Sequence, residues 1–433
     1  MNSEPTQQNG SKAGLFPREQ HERIETLDIL RGFAIFGILV VNMGVFAYPF
    51  LGYQVMGGSP WDDTVNSIAE NLIRFFAEGK FYSIFSMLFG AGIVLQFVRA
   101  ESRGVRFKPY YLRRMSVLLI IGLLHALLFW MGDILALYAF CGFVLLLFLK
   151  RKPRTLIIWI IIFLLIPILL VAGLFGLMSL AEAATDAAED IEQQLEGQKA
   201  FATWLIDGAY AAYRDGTVGQ IFVFRAIEYA IVLLSGIFWF PNVFAMMLIG
   251  VYAMKTGILT RMLDDRSLTV RLFFICIAIG IVFNVLYAYS YAFMDPIRTN
   301  VWYVLMYVGI AIGAPSLAIS YISGIVLLSQ KAAWHKRLQS LAPVGKMALS
   351  NYLLHTIICT TLFYNYGFGL YGSVGPAAGF GIAILIFSMQ IYLSPVWLRY
   401  FHYGPVEWFW RSLTYKKRQP FRRKQKDISQ TIG

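Results

Sequence analysis

The chain has 433 residues, of which 58% are hydrophobic and only 14% are charged. A soluble domain carries roughly 25% charged residues, so this composition excludes a soluble enzyme and indicates a protein embedded in lipid. The net charge of +12 lies in short segments beside apolar stretches. Anionic lipid headgroups are the nearest partner for such segments, so we expect membrane lipids and no nucleic acid as partners.

Apolar stretches of about 20 residues, the length that crosses a hydrocarbon core, recur along the chain. They predict an all-α polytopic membrane protein with ten transmembrane helices. The predicted spans are 28–48, 81–98, 115–131, 133–149, 155–180, 226–254, 272–293, 301–328, 347–366 and 377–395. The turn at Met131, Gly132 and Asp133 is compatible with a re-entrant feature, and Pro241 can divide the sixth span into two half-helices.

Lysine and arginine are concentrated in every second loop. This distribution predicts the orientation of the chain in the membrane, because positive charge is retained in the cytoplasm during insertion. Of the 37 basic residues, 30 fall in the amino-terminal segment, the carboxy-terminal tail and every second loop. Both termini are therefore predicted to be cytoplasmic. Residues 1–27 lack a signal-peptide pattern, so the first span should remain uncleaved.

The spans divide the chain into five regions. They are a cytoplasmic segment (1–27), a first five-helix half (28–180), an extracytoplasmic segment (181–225), a second five-helix half (226–395) and a basic cytoplasmic tail (396–433). The extracytoplasmic segment has a helix-forming composition with a break expected at Gly197. It is either a plain connector or a lid over an outward-facing cavity.

Metal binding is not predicted. The three cysteines, at 141, 276 and 359, lie inside predicted spans without a CxxC motif or a neighbouring histidine. Polar side chains at membrane depth are costly unless they are paired or face water, so each of them is a candidate site residue. The candidates are Asp28, Arg31, Asn42, His125, Asp133, Glu228, Asn284, Asn351 and His355.

At the start of the first span, Asp28 and Arg31 lie three residues apart in LDILRG. This spacing places them on one helix face, where they either pair with each other or take part in a polar cavity. Gly32 and Gly37 thin the same helix and permit close approach by a neighbouring helix or a ligand.

The stretch RRMSVLLIIGLLHALLFWMGDIL (113–135) carries the most chemistry. Arginine forks bind phosphates, so Arg113 and Arg114 either bind an anionic cofactor or simply anchor the cytoplasmic end. His125 either acts as a general base or makes an interhelical hydrogen bond. Asp133 cannot reach His125 along one straight helix, so their contact requires a kink or a mediating group.

The ninth span begins with GKMALSNYLLH (345–355). Asn351 and His355 are four residues apart and share a helix face. They either join neighbouring helices through hydrogen bonds or line a substrate cavity.

Five blocks resemble the YeiB-like family of bacterial multi-pass membrane proteins, a domain of unknown function. They are LDILRGFAIFGILVVNM (27–43), GKFYSIFSMLFGAG (79–92), RRMSVLLIIGLLHALLFWMGDILALYA (113–139), GKMALSNYLLH (345–355) and GPVEWFWRSLTY (404–415). Together they extend over nearly the whole chain, and the resemblance implies a bacterial cytoplasmic membrane as the location.

The LD…RG block, and with it the first half of the chain, also resembles a wider group of transmembrane acyltransferases, including heparan-alpha-glucosaminide N-acetyltransferases. That resemblance implies transfer of an acyl unit from cytoplasmic acyl-CoA to an acceptor across the membrane. The polysaccharide-modifying branch has an arginine near the start of its first span, which Arg31 matches, and a histidine near its end. Here the corresponding position is close to Asn42, which cannot act as a base, so His125 or His355 would take that role.

Three functions follow as hypotheses. In an acyltransferase with acetyl-CoA as cosubstrate, Arg31, Arg113 and Arg114 would bind CoA. His125 would act as base, Asp133 would orient it, and Asn42 or Asn351 would stabilise the oxyanion. In a transporter for a small organic solute, the same groups, with Asp28 and His355, would bind substrate or protons. The third hypothesis is a lipid-binding or scaffold protein without turnover. The oligomeric state stays open, including a homo-oligomer.

Overall fold

The computed structural model describes residues 25–184, 188–295 and 300–423. Its helices are α1 (Glu25–Ala47), α2 (Phe50–Met56), α3 (Thr64–Phe76), α4 (Lys80–Ser102), α5 (Phe107–Leu128), α6 (Leu135–Leu145), α7 (Pro153–Ala184), α8 (Ala188–Ala209), α9 (Val218–Leu234), α10 (Gly236–Lys255), α11 (Ile258–Asp264), α12 (Arg266–Phe293), α13 (Val301–Ser329), α14 (Ala332–Leu338), α15 (Leu341–Lys346), α16 (Ala348–Phe363), α17 (Pro376–Tyr400) and α18 (Pro405–Tyr415). A π-helical turn (Tyr210–Arg214) joins α8 to the loop before α9. These helices confirm the all-α polytopic class.

Eight helical segments of the described chain are long and apolar enough to cross a membrane. One of these segments joins α3 to α4, and the other seven are α1, α5, α7, α10, α12, α13 and α17. Two shorter apolar helices, α6 and α16, coincide with the remaining two predicted spans. The ten apolar segments are therefore present as helices. The number that spans the bilayer and the side on which each terminus lies remain predictions, as do the boundaries of the five regions.

The sixth predicted span is indeed divided, but not at its proline. Helix α9 ends at Leu234 and α10 begins at Gly236, whereas Pro241 lies inside α10. The hydroxyl of Ser235 donates to the carbonyl oxygen of Val232 at 2.9 Å, which closes the end of α9. The break therefore falls at the Ser235–Gly236 pair, residues that favour a helix end more than a helix interior.

Between α7 and α9, the described residues form helix α8, in agreement with the predicted helical composition, but α8 continues through Gly197 without a break. Helix α8 packs against the short helix α2, where Gly52 brings the two backbones close together. A single glycine lowers helix propensity by about 1 kcal/mol, which tertiary packing readily overrides. The expected Gly197 break was therefore wrong.

Helix α1 lies at the centre of the bundle and packs against α4, α13, α15, α16 and α17. Helices α4 and α10 cross most closely at two glycines. A Cβ atom at Gly90 would overlap the carbonyl oxygen of Met247, and one at Gly250 would overlap that of Met87. Small residues allow membrane helices to approach at backbone distance, so this crossing is fixed by the two glycines.

Candidate functional site

A cavity of 290 Å³ opens among α1, α4, α5, α16 and α18. It lies at the end of the bundle where α1, α5 and α16 begin. We call this the basic end, and we call the cavity the basic cavity. Its inner part is lined by apolar and aromatic side chains, including Leu88, Leu118 and Tyr138, and its outer part is lined by charged side chains. A ligand that combines an anionic end with a long, less polar arm would match this division.

Basic groups outnumber acidic groups six to two in the wall of this cavity. The basic side chains are Arg31, Arg99, Arg103, Arg114, Lys346 and Arg411. The acidic side chains are Asp28 and Glu407. Asp28 is buried and accepts a hydrogen bond from Arg31 at 2.8 Å, so the two residues pair, as one of the two alternatives predicted, and also contribute to the cavity wall. The remaining excess of positive charge favours an anionic ligand.

Helix α18 covers the cavity from the basic end and packs against α5. The guanidinium of Arg114 lies 3.7 Å from the ring centroid of Trp410, and the Trp410 indole donates to the Arg114 carbonyl oxygen at 2.9 Å. Arg113 instead donates to the carbonyl oxygen of Thr414 at 2.9 Å and is not among the residues that line the cavity. Consecutive helix residues point about 100° apart, so only one of the two arginines faces this cavity.

Glu407 on α18 closes the amino end of α16. Its Oε1 accepts the backbone N–H groups of Leu349 and Ser350 at 2.8 and 3.1 Å, and its Oε2 accepts the Ser350 hydroxyl. Burial raises the pKa of Glu407, while these hydrogen bonds oppose that rise. The carboxyl thus joins the cover of the cavity to one of its walls.

We expect Glu407→Ala to lower the free energy of unfolding by about 0.5–2 kcal/mol, because the first N–H groups of α16 lose their acceptor. The measurement is the thermal unfolding midpoint of the detergent-purified protein. Asp62→Ala, which removes an exposed carboxyl elsewhere, is the control. Equal midpoints for the two variants would contradict this capping role.

Next to the inner end of the cavity, hydrogen bonds join three buried side chains, which we call the His125 cluster. They are Asp133, His125 and Thr356. Nδ1 of His125 lies 2.7 Å from Oδ2 of Asp133, and Nε2 of His125 lies 2.9 Å from the hydroxyl oxygen of Thr356. The other Asp133 oxygen accepts the N–H of Ala136 at 2.8 Å. An imidazole held between a carboxylate and a hydroxyl has the arrangement of a base with its orienting group.

The contact between His125 and Asp133 forms because α5 ends directly after the histidine. The N–H groups of Phe129 and Trp130 both bond to the carbonyl oxygen of His125, and the chain then turns back before α6 begins. Trp130 is buried and stacks on Phe46 at 4.0 Å between ring centroids. The turn that the sequence places at Met131 to Asp133 is therefore the feature that brings the carboxylate back to the imidazole.

Tyr352 lies between the cavity and His125. Its side chain lines the cavity, and its ring centroid is 5.4 Å from that of His125. It is one helical turn before Thr356 on the same face of α16. The phenol ring therefore separates the cavity from the imidazole in this structure.

Arg225 on α9 binds the carboxyl end of α5 through hydrogen bonds. It is buried and donates to the carbonyl oxygens of Leu127 and Leu128, the latter at 2.5 Å. These carbonyls have no partner within the helix, so the guanidinium satisfies them and fixes the turn that follows His125. No motif or spacing in the sequence distinguishes Arg225 from the other basic residues. Glu228, one turn further along α9, accepts the hydroxyl of buried Tyr213.

Asn351 and His355 lie on a different face of α16 and join it to α17. Asn351 donates to Ser394 at 3.2 Å, His355 pairs with Gln390 at 2.8 Å, and Gln390 donates to the carbonyl oxygen of Asn351. These groups do not line the basic cavity. Asn42 is partly exposed and has no hydrogen bond with the His125 cluster among the described residues.

Comparison with known proteins identifies the family. The chain is 37% identical over 431 residues to "Uncharacterized protein YxaH" of Bacillus subtilis (strain 168), an alignment that includes 96% of this chain and 100% of that protein. The chain belongs to the YeiB-like DUF418 family. The family profile, described as "Protein of unknown function (DUF418)", matches residues 253–417. "Uncharacterized protein YeiB" of Escherichia coli (strain K12) is 30% identical, with 92% of this chain and 98% of that protein aligned.

The DUF418 profile match contains α16 and α18, which carry Thr356, Tyr352 and Glu407. His125 and Asp133 lie outside it, in a region that the full-length relatives do cover. The site is thus built from both halves of the chain.

Proposed function

We propose that this DUF418 protein is a membrane acyltransferase that takes an acyl group from acyl-CoA and passes it to a hydroxyl or amine acceptor. The observation that carries the proposal is the His125–Asp133 pair placed beside the inner end of a cavity with a basic entrance. A neutral imidazole oriented by a carboxylate can accept a proton from an acceptor, which is the task of the base in acyl transfer.

The shape and charge of the cavity support CoA as the donor. CoA carries its phosphates at one end of a long, mostly uncharged arm that ends in the thiol. Arg99, Arg103 and Arg114 line the outer part of the cavity and would bind the phosphates, and Arg411 on α18 would close over them. The arm would then run along the apolar inner wall toward Tyr352. Arg31 is occupied by Asp28 and would hold the cavity wall in place.

This assignment places the basic end in the cytoplasm, where acyl-CoA is made, in agreement with the distribution of lysine and arginine. The acceptor would enter from the membrane or from the opposite side. The protein would then act in a bacterial cytoplasmic membrane, on a small-molecule or lipid-linked acceptor.

We expect Arg114→Ala to weaken CoA binding about 10- to 100-fold, because one charge-assisted hydrogen bond to a phosphate is lost. The measurement is calorimetric titration of CoA and acetyl-CoA into the detergent-purified protein. Arg266→Ala removes an exposed arginine that does not line the cavity and is the matched control. Absence of saturable binding to folded wild-type protein would overturn the proposed function.

Transport of a small organic solute is the competing function, and one observation favours it. A second cavity of 90 Å³ lies at the other end of α1, where Glu70, Arg74 and Tyr291 contribute to its wall. Alternating access needs a route from each side of the membrane to a central site, and a cavity at each end of α1 could be part of such routes. The two functions differ in one outcome: a transporter would deliver an unmodified solute into vesicles, whereas an acyltransferase would deposit label from acetyl-CoA on an acceptor.

A further inference from the structure

Both nitrogens of His125 are already occupied in this structure. The Asp133 carboxylate accepts the N–H of Ala136 with one oxygen and contacts Nδ1 of His125 with the other. A carboxylate only accepts hydrogen bonds, so Nδ1 is protonated; in the neutral imidazole that a base requires, the lone pair of Nε2 then points at the Thr356 hydroxyl, 2.9 Å away. The hydroxyl therefore donates to the base, as a nucleophile does before attack.

The threonines of α16 show that this contact is unusual. The hydroxyl of Thr361 donates to the carbonyl oxygen of Ile357 at 2.7 Å, as a threonine within a helix ordinarily does. Thr356 is buried, and within the described parts of the chain its side chain is hydrogen-bonded to His125 alone. Its hydroxyl is thus released from the helix backbone and directed at a base.

We propose that Thr356 is the nucleophile of the transfer and that the reaction passes through an acyl ester on its hydroxyl oxygen. This inference rests on the proposed acyl-CoA-dependent function. It assigns Thr356 as a catalytic residue, His125 as the base that activates it, and Asp133 as the residue that holds the imidazole in the required tautomer.

In the first half-reaction, the Thr356 oxygen attacks the thioester carbonyl carbon and gives its proton to Nε2 of His125. The carbon–sulfur bond breaks, and the departing thiolate takes that proton and leaves as CoA. In the second half-reaction, a hydroxyl or amine acceptor attacks the ester and gives its proton to Nε2. The bond to Thr356 breaks, and its oxygen recovers the proton.

Direct attack by an external acceptor would first have to displace Thr356 from Nε2, because His125 has no other free nitrogen. The covalent route uses the hydrogen bonds as they stand. Tyr352 lies one turn before Thr356 and forms the wall of the cavity at this point. A rotation of its ring would therefore connect the end of the CoA arm with the hydroxyl.

The test is mass spectrometry of the intact purified protein after incubation with acetyl-CoA and no acceptor, followed by peptide mapping. Wild type is expected to gain one acetyl group at Thr356, and Thr356→Ser is expected to retain this acylation. Thr356→Val, which keeps the side-chain shape, is expected to lose it completely. Thr361→Val is the matched control on the same helix and is expected to behave as wild type. CoA binding by calorimetry is measured for every variant.

Acetyl at position 356 that disappears in Thr356→Val, with CoA binding unchanged, would establish the intermediate. Acetyl on His125, or undiminished transfer by Thr356→Val, would overturn the nucleophile while leaving the acyltransferase function intact. If neither the wild type nor any variant binds CoA, the proposed acyltransferase function is overturned. CoA binding therefore distinguishes failure of the proposed function from failure of the Thr356 nucleophile alone.

Discussion

Replacing His125 with alanine is expected to reduce acyl transfer from acetyl-CoA by about 100- to 10,000-fold, the range that a general base contributes. The reason is that the imidazole is the group placed between the Asp133 carboxylate and the Thr356 hydroxyl. CoA binding should change little, since the basic residues of the cavity remain. The measurement is transfer of label from acetyl-labelled acetyl-CoA into the lipid and saccharide fractions of inverted membrane vesicles that contain the protein.

Two further variants separate catalysis from folding in this experiment. Asp133→Asn keeps the side-chain shape but offers an amide donor to Nδ1, which favours the wrong imidazole tautomer and should also reduce transfer strongly. His335→Ala removes a histidine that is 37% exposed on α14 and should leave transfer unchanged. Wild-type transfer by His125→Ala would remove this residue from the chemistry.

Gly250→Ala is expected to lower the free energy of unfolding by about 1–3 kcal/mol or more, the range for overpacked positions. The added methyl group would overlap the carbonyl oxygen of Met87, which is backbone and cannot rotate away. Helices α4 and α10 must then separate along their crossing. The thermal unfolding midpoint in detergent measures this effect.

Gly173→Ala is the matched control, because a Cβ atom at this position of α7 meets no other atom within 4 Å. Alanine has the higher helix propensity, so this variant should be neutral or slightly stabilising. Equal stability of the two variants would contradict the close crossing of α4 and α10.

The helices and the Asp28–Arg31 pair were predictable because they depend on local spacing and apolar length. The contact between His125 and Asp133 was predicted only on the condition of a kink or a mediating group, because it depends on where α5 ends. The sequence shows both residues and the turn between them. In a continuous helix, however, residues eight positions apart lie about 12 Å apart along the axis, too far for a hydrogen bond. Only the end of α5 at Leu128 allows the carboxylate to return.

Thr356 was missed for a different reason. Its partner lies 231 residues away in the chain, so no spacing connects the two. Asn351 and His355 were predicted as site candidates because they are the more polar residues of the same helix, but their face packs against α17. The neighbouring face carries Tyr352 and Thr356, which are common residues in membrane helices. Their importance depends on the contact with His125 of α5, which the sequence does not show.

We propose that the basic cavity holds CoA with its thiol end directed at the His125 cluster. An electron cryomicroscopy map of the purified protein saturated with CoA tests this most directly. We expect density for the phosphates beside Arg99, Arg103 and Arg114 and for the arm along the inner wall up to Tyr352. An empty cavity at saturating CoA, or CoA bound elsewhere on the protein, would contradict it.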